Sequence, residues 1–284
     1  MIAVLLSLLI KSSLVAGLAL SAVRLLTGRA PAERVTLLRA ALAALLALPL
    51  VALAGPDLTI WLAAPSPELP VPAVPALAGN AQAAAAAPAG PGLPTWLGLV
   101  WSLGSAVILG RFALGVLTLS RWTRDARPVS EPAWTAPLLR MAGRSPPRLL
   151  ATDRIPSPLS WGVPPGVVLI GAAQLQQPRD AEAVLAHELA HIRRRDWLFL
   201  ALSRVATALF WFNPLVWLLQ GELARLSEEA ADADALRHVE PEAYARTLLG
   251  MAADFTPTAA TGMTGPARSL AKRITKVMTP RRPA

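Results

Sequence analysis

Three long apolar runs constrain this chain more than any other feature of its sequence. They cover residues 2–24, 35–55 and 95–120, and each reaches the roughly 20 residues that a helix needs to cross the hydrocarbon core of a bilayer. Hydrophobic residues make up 54% of the chain and charged residues only 16%, which excludes an ordinary soluble protein and a disordered one. The sequence therefore predicts a mainly α-helical integral membrane protein with three N-terminal transmembrane helices.

The first run, residues 2–24, has a second interpretation as a cleaved signal peptide. Such a peptide begins with a cationic segment, whereas the first ten residues contain neither Lys nor Arg. This absence favours a retained helix. We predict that residues 1–55 form two transmembrane helices joined by a short cytoplasmic loop.

Residues 56–94 separate the second and third runs and differ from both in composition. They are rich in Ala and Pro and contain no Lys or Arg, a composition typical of an extended, solvated spacer. Arginines instead flank the runs, in the first loop and after the third run: Arg24, Arg29, Arg34, Arg121, Arg124 and Arg127. By the positive-inside rule these arginines lie in the cytoplasm, which makes the spacer extracytoplasmic.

Three further cations, Lys11, Arg39 and Arg111, fall inside the apolar runs. Ionisable residues within a bilayer can mark a functional polar path. Pairing between helices, or extension of the long side chain to the membrane surface, is the alternative. The sequence favours the alternative.

The motif most specific for chemistry is His187-Glu188-Leu189-Ala190-His191, an H-E-x-x-H sequence. Two histidines four residues apart lie on one helix face and can bind one cation, with Glu188 beside them as a general base. Asp180 as a helix N-cap and the basic residues 193–195 near the helix end support the helical assignment. The chain has no cysteine, so thiolate ligands are excluded. The motif predicts one catalytic zinc ion, and two surface histidines are the alternative.

A catalytic zinc needs a third protein ligand, and no further histidine follows His191 at the spacing of an extended motif. Glu228 and Asp232 lie in a predicted helix over residues 221–237, four residues apart and therefore on one face. This spacing suits a ligand with a supporting carboxylate, although a solvated acidic helix face shows the same pattern. Glu229 lies about 100° around the helix from its neighbour and is the less suitable ligand.

Several segments resemble the membrane-embedded zinc metallopeptidases of the BlaR/MecR type, the beta-lactam-sensing signal transducers and their relatives. The matching segments are Ser157-Pro158, Gly162, Val167-Val168-Leu169-Ile170, residues 183–191, residues 194–197, residues 211–217 and residues 228–232. The resemblance implies that His187, His191 and Glu228 are zinc ligands. It also implies that Glu188 is the general base and that Asp232 is an additional ligand or a carboxylate that supports one.

The resemblance further implies a zincin-like α+β metallopeptidase domain of the gluzincin type, which we assign to residues 121–250. Within it, Val167, Val168, Leu169 and Ile170 predict a short buried strand. In this arrangement such a strand can receive an extended substrate by backbone pairing, and a plain core strand is the alternative. Three residues are candidates for stabilising an oxyanion, and each also has a structural interpretation: Tyr244, Arg225 and His238.

An apolar run over residues 197–220 is long enough for a fourth span, since a straight helix of that length extends about 36 Å. A full crossing would place His191 and Glu228 some 30 Å apart, whereas both ligands of one zinc lie within about 2.2 Å of it. We therefore predict a membrane-associated, re-entrant helical segment with a break near Asn213-Pro214.

Together these features predict a zinc endopeptidase in a bacterial-type cytoplasmic membrane, with its active site on the cytoplasmic side. The resemblance implies cleavage of a protein substrate such as a transcriptional repressor. The alternatives are a housekeeping quality-control protease and a catalytically silent scaffold or sensor subunit. The chain ends in a basic tail, residues 251–284, without a penicillin-binding sensor domain, so beta-lactam sensing is not expected. The lipid bilayer is a further partner, direct nucleic-acid binding is not expected, and an oligomer is compatible with the sequence.

Overall fold

The structure is a computed structural model that describes residues 2–54, 92–254, 273 and 275. Its elements in chain order are α1 (Ile2–Leu25), α2 (Pro31–Ala54), α3 (Leu93–Asp125), β1 (Arg127–Pro128), α4 (Pro132–Ala142), β2 (Arg148–Thr152), β3 (Leu159–Trp161), β4 (Val167–Gly171), α5 (Ala172–Leu175), a 3-10 turn (Pro178–Asp180), α6 (Ala181–Arg194), α7 (Asp196–Leu209), α8 (Pro214–Ala235) and α9 (Pro241–Asp254). The described chain is thus mostly helical, with one small sheet, as the sequence predicted.

Within the part of the chain that the structure describes, three helices are long and apolar enough to cross a membrane, over residues 6–25, 31–51 and 93–125. They coincide with the three predicted runs, although α3 extends beyond both ends of the predicted range 95–120. Little of α3 is buried inside the protein, and it exposes large apolar side chains, as expected of a helix that faces lipid on most of its surface. The predicted spacer, apart from its last residues 92–94, and most of the basic tail lie outside the described residues.

Two apolar cores hold the helices that carry the predicted site. α1 and α2 pack against α8 around a core that includes Leu38 and Leu42 of α2 and Leu223 of α8, all buried. A second core lies between α4, the sheet and α6, with Trp134 and Leu185 at its centre. Since α6 and α8 also pack against each other, the membrane helices and the sheet together fix the relative position of the two site helices.

The sheet has the strand order β1-β2-β4-β3, in which β2 and β4 are parallel and the other two pairs are antiparallel. β4 contains the predicted strand, and Val168, Leu169 and Ile170 are fully buried. β4 pairs with β2 along its whole length, and with β3 at Val167, Val168 and Leu169. Pairing with β2 on one side, and with β3 at residues 167–169 on the opposite side, leaves little of either edge of β4 for a substrate and favours the alternative interpretation of residues 167–170, a plain core strand. The outer strand on that side is β3.

Residues 197–220 do not form one straight helix. α7 ends at Leu209 and α8 begins at Pro214, so the helical path breaks where the sequence predicted. Pro214 occupies the first helical position, where its missing N–H is not needed. The Asn213 side chain caps α8 by accepting from the Leu215 backbone N–H at 3.0 Å. The two helices pack against each other, so the chain turns back and forms an α7–α8 hairpin.

Polar groups of α1 hold the turn of this hairpin. The Asn213 side-chain amide donates to the hydroxyl of Ser12 at 2.8 Å and to that of Ser13 at 3.1 Å. Asn213 and Ser12 are both buried. Because Ser12 lies inside the candidate span 6–25, the hairpin turn lies at the level of that span.

α3 holds the other side of the turn. The Trp101 indole donates to the Leu209 carbonyl at 3.0 Å, and the Trp211 indole donates to the Trp101 carbonyl at 3.2 Å. Gly104 permits this close approach, since a Cβ atom there would lie 2.5 Å from the Trp211 ring. The hairpin is thus packed between two candidate spans.

The three cations of the apolar runs have different environments. Arg39 of α2 forms an ion pair with Asp196, the first residue of α7, which confirms the pairing interpretation for this residue. Lys11 and Arg111 are exposed on α1 and α3.

Candidate metal centre

The H-E-x-x-H motif lies on α6, as predicted. Asp180 occupies the N-cap position, although its side chain accepts from the Thr247 hydroxyl at 3.0 Å and does not cap the helix. α6 ends at Arg194, and the next residue, Arg195, has a left-handed backbone with φ of 55°. A left-handed residue cannot continue a right-handed helix, so α7 begins at once along a different axis. This turn returns the side chain of Asp196 to His191.

His187, His191 and Glu228 bring three ligand atoms together. The two histidine Nε2 atoms are 3.1 Å apart, and the Glu228 carboxylate oxygens lie 3.6 Å from Nε2 of His187 and 3.5 Å from Nε2 of His191. Atoms bound tetrahedrally to one zinc at about 2.0–2.2 Å are about 3.4 Å from one another. The three separations therefore suit one shared ion, and the structure groups the three residues that the sequence proposed as ligands.

The far side of the His187 ring is held by Tyr244 and Asp232. Nδ1 of His187 lies 2.8 Å from the Tyr244 hydroxyl and 3.3 Å from Oδ1 of Asp232. The Tyr244 hydroxyl donates to Asp232 at 2.6 Å, and burial together with the Asp232 charge raises the pKa of Tyr244, which keeps it protonated. The hydroxyl oxygen therefore accepts from Nδ1–H, so Nε2 of His187 directs a lone pair toward the cluster.

His191 is held in the same way by a different carboxylate. Its Nδ1 lies 2.7 Å from Oδ2 of Asp196, whose side chain is only 2% exposed. Nε2 of His191 therefore also directs a lone pair toward the cluster. Two imidazole lone pairs and the carboxylate of Glu228 face one another, an arrangement that a shared cation stabilises.

The donor set and its exposure suit a catalytic ion. Two histidines and one glutamate form a ligand set that catalytic zinc uses, with a fourth position kept for water or substrate. The side chain of Glu228 is 44% exposed, against 13% for His187 and 14% for His191. One side of the cluster is therefore open to solvent.

The electrostatics of the cluster favour positive charge. Burial opposes the imidazolium form, but the neighbouring carboxylates, which are Asp232, Glu228 and Glu188, outweigh burial and raise the pKa of His187 to about 10. Burial also opposes the Glu228 carboxylate, while the two histidines and Arg273 hold the pKa of Glu228 well below its usual range. Glu188 itself is buried on α6. The imidazolium form carries a proton on Nε2 of His187, and a metal cation at the cluster would replace that proton and accept the Nε2 lone pair.

Arg273 is a site residue that sequence reasoning missed. Its guanidinium donates to both oxygens of Asp232, at 2.7 and 2.8 Å, and its Nη1 lies 3.3 Å from a Glu228 oxygen. The contact joins residues 41 positions apart, and in the sequence Arg273 is one of several cations in the basic tail. Asp196 was also assigned no role, because only the left-handed turn at Arg195 brings it back to the histidine.

The remaining sequence candidates have other contacts. Glu229, the less suitable ligand of the acidic pair, forms an ion pair with Arg225, which also pairs with Glu222. Tyr244 contacts the far side of His187. His238 is exposed beyond the end of α8.

Three membrane-compatible helices and a helix-borne His-His-Glu cluster define a class of proteins, the membrane-bound metallopeptidases. A family model described as BlaR1 peptidase M56 matches residues 8–277. The chain therefore belongs to the M56 peptidase family, and its resemblance to the BlaR/MecR-type peptidases is confirmed.

Two relatives illustrate the similarity. Regulatory protein BlaR1 of Bacillus licheniformis is 33% identical over 94 residues, which are 32% of this chain and 15% of the relative. Protease HtpX homolog of Persephonella marina (strain DSM 14350 / EX-H1) is 33% identical over 114 residues, which are 34% of this chain and 40% of the relative. The matched segments thus cover well under two thirds of either relative. The bacterial relatives and the three candidate spans support a protein of the bacterial inner membrane.

Proposed function

We propose that this chain is a zinc endopeptidase that cleaves a protein substrate at the cytoplasmic face of the membrane. The observation that carries the proposal is the convergence of His187, His191 and Glu228, with each histidine held at Nδ1 by a hydrogen-bonding partner. Zinc is the metal we assign, because this donor set and an H-E-x-x-H helix are typical of zinc peptidases. A catalytically silent scaffold would have no need of a complete ligand set.

In this proposal the chain's own residues carry out proton transfer and positioning. A bound zinc ion supplies Lewis-acid polarisation of the scissile carbonyl and makes water more acidic. Glu188 acts as the general base: it takes a proton from the attacking water and delivers that proton to the leaving amine nitrogen. Water attacks the carbonyl directly, so no acyl-enzyme forms. Asp196 and Asp232 fix the orientation of the histidines, and we assign Asp232 this supporting role because it contacts Nδ1 of His187.

The outer edge of β3 is the strand edge that we propose for substrate binding. β3 packs against α6, and its inner edge is paired with β4. An extended peptide that adds to the outer edge of β3 would form backbone hydrogen bonds beside the helix that carries Glu188. This edge replaces residues 167–170 as the candidate substrate strand.

The proposed substrate is a regulatory protein such as a transcriptional repressor. The similarity to a relative named as a regulatory protein supports this choice. The second relative is named as a protease, which supports a housekeeping function in membrane-protein quality control as the second candidate. Co-expression with a repressor encoded beside the gene distinguishes the two. Cleavage of that repressor at one site supports regulation, and degradation of unrelated misfolded membrane proteins supports quality control.

The proposed topology rests on the arginines that flank the spans. It places the spacer, residues 56–94, outside and the peptidase domain, residues 121–250, in the cytoplasm, with residues 197–220 associated with the membrane. Because the chain has no cysteine, Ala84→Cys and Ser145→Cys each introduce a single thiol. In intact cells a membrane-impermeant reagent is expected to label position 84 and to label position 145 only after permeabilisation. Labelling of position 145 alone would invert the topology.

Metal analysis of purified variants tests the proposed chemistry. The wild-type protein is expected to bind about one zinc ion. His187→Ala and His191→Ala are expected to lose both metal and proteolysis, whereas Glu188→Gln keeps the metal and loses about 10²- to 10⁴-fold in rate as a general base is removed. Stoichiometric zinc in the double variant that lacks both histidines would refute the metal site. Full activity of Glu188→Gln would refute its role as the base.

A further inference from the structure

The membrane helix α2 contacts a residue that supports the metal centre. Nη2 of Arg39 donates to Oδ1 of Asp196, and the other oxygen of Asp196 accepts from Nδ1 of His191 at 2.7 Å. One buried carboxylate thus joins a transmembrane helix to a proposed ligand. Arg39 and Asp196 are 157 residues apart in the chain.

Arg39 is fixed on two sides. Its guanidinium carbon lies 4.1 Å above the ring centre of Phe199, a cation–π contact with α7. Its side chain is 17% exposed, and the side chain of Asp196 is 2% exposed. A half-buried guanidinium held between an aromatic ring and a carboxylate has few orientations available. The contact therefore determines which way the Asp196 carboxylate faces.

A second arginine near Asp196 lies farther from the carboxylate than Arg39 does. Nη2 of Arg194 lies 3.4 Å from the same oxygen, Oδ1, beyond the usual distance of a charge-assisted hydrogen bond. Without Arg39 the carboxylate is free to turn toward Arg194. Such a turn would move Oδ2 away from Nδ1 of His191.

We infer that Arg39 is a positioning residue for the metal centre, which acts through Asp196 to hold His191 in its ligating orientation. This inference rests on the proposed metal site and extends it. The second transmembrane helix becomes part of the metal centre, so the position of α2 and the affinity for the metal are linked. Residues that orient a histidine ligand change metal affinity by about 10- to 100-fold when they are removed.

Arg34 offers a matched control. It lies on the same helix as Arg39 and is buried, and its Nη2 lies 3.9 Å from a carboxylate oxygen of Glu222 on α8. Its ion pair with Glu222 involves neither a proposed ligand nor Asp196. A general loss of packing between α2 and the peptidase domain would lower metal affinity in Arg34 and Arg39 variants alike. Loss of the orienting contact would lower it only in Arg39 variants.

The test measures the affinity of the full chain for Zn²⁺ by competition with a chelator, in detergent or lipid discs. Arg39→Met is expected to weaken binding about 10-fold or more, while Arg34→Met binds as the wild type does. Arg39→Lys keeps the charge but lacks the planar fork, and is expected to fall between wild type and Arg39→Met. Should either methionine variant fail to fold, Arg39→Lys and Arg34→Lys provide the same comparison.

A double variant and a spectroscopic probe separate positioning from simple packing. If Arg39 acts through Asp196, Arg39→Met adds no further loss of affinity to Asp196→Asn. Bound Co²⁺ reports ligand geometry by its visible absorption, which is expected to change in Arg39→Met and not in Arg34→Met.

Three outcomes would overturn the inference and leave the proposed function intact. The first is that Arg39→Met binds Zn²⁺ as tightly as the wild type does. The second is that Arg34→Met loses as much Zn²⁺ affinity as Arg39→Met. The third is that the losses of affinity in Arg39→Met and Asp196→Asn add fully in the double variant. Absence of metal binding by the wild-type protein would instead refute the proposed function, and the inference with it.

Discussion

His187 and His191 lie one turn apart on the same helix, but different parts of the molecule hold them. The ring of His187 contacts Tyr244 of α9 and Asp232 of α8, and Asp232 in turn pairs with Arg273. The ring of His191 contacts Asp196, which pairs with Arg39 of the second span. One histidine therefore depends on the C-terminal part of the chain, and the other depends on a membrane helix.

The two sides also differ in the second contact of the arginine that supports each carboxylate. Each carboxylate is itself buried and contacts a half-buried arginine distant in sequence, which balances its charge. Arg273 also contacts the proposed ligand Glu228, so it has a second acidic partner. Arg39 has an aromatic ring as its second contact. The His191 side is thus expected to be the more sensitive to loss of its carboxylate.

The largest effect is expected for Asp196→Ala. Removing this buried carboxylate leaves Arg39 without its acidic partner, and breaking a buried ion pair costs about 3–5 kcal/mol in the free energy of unfolding. Metal affinity should also fall about 10- to 100-fold. Asp232→Ala is the matched variant. Its loss of stability should be smaller, because Arg273 still has Glu228 as an acidic partner. Denaturant unfolding measures the free energy of unfolding of both variants. Equal losses in the two variants would contradict the proposed difference between the His191 side and the His187 side.

A smaller effect is expected for Tyr244→Phe, on the His187 side. The Asp232 carboxylate loses the buried hydrogen bond that the Tyr244 hydroxyl donates to it. Loss of such a bond to a charged group costs about 2–3 kcal/mol. Asp232 lies 3.3 Å from Nδ1 of His187 and can accept from it directly, so the loss of metal affinity should stay below about 10-fold. Chelator competition measures the affinity. A loss as large as that of Asp196→Ala would show that the two sides depend equally on their partners.

Gly104→Ala tests a part of the membrane region that contacts neither histidine. The added methyl group would overlap the Trp211 ring and destabilise the protein by about 1–2 kcal/mol, without a change in metal affinity. Gly110→Ala on the same helix is the control, since its Cβ would meet nothing within 4 Å. Thermal unfolding and zinc titration of the pair give the comparison. A drop in metal affinity for Gly104→Ala would mean that the spans influence the centre by more than the Arg39 contact.

The smallest effect is expected for Arg195→Gly, at the turn between α6 and α7. A residue other than glycine in the left-handed region costs about 1–2 kcal/mol, and the entropy lost by glycine on folding offsets about 0.5–1 kcal/mol of that. The variant should therefore gain up to about 1 kcal/mol of stability and keep its metal affinity. Arg195→Val should lose stability, because β-branched residues tolerate this conformation poorly. Thermal unfolding of both variants tests the expectation.

Local and periodic features were predictable from the sequence. Hydropathy located the three spans to within a few residues, and motif spacing located the helix of His187 and His191. The break at Asn213-Pro214 followed from the requirement that His191 and Glu228 meet. Each of these inferences uses residues close together in the chain or a single geometric constraint.

Long-range contacts were not predictable in the same way. The edges of β4 are filled by β2 and β3, and a buried apolar run does not reveal which strands pair with it. The pairing of Arg39 with Asp196 and that of Arg273 with Asp232 depend on tertiary packing that no local pattern records. Arg39 was expected to pair, but its partner and its link to His191 required the structure.

The hairpin turn has a consequence for the order in which the protein is made. The buried amide of Asn213 is satisfied by Ser12, a residue synthesised 201 positions earlier. Polar groups enter the hydrocarbon region only where partners receive them. The hairpin should therefore insert only after the first span, α1, is already in the bilayer. A chain that lacks the first span would be expected to leave its hairpin at the surface and to be removed by quality-control proteolysis.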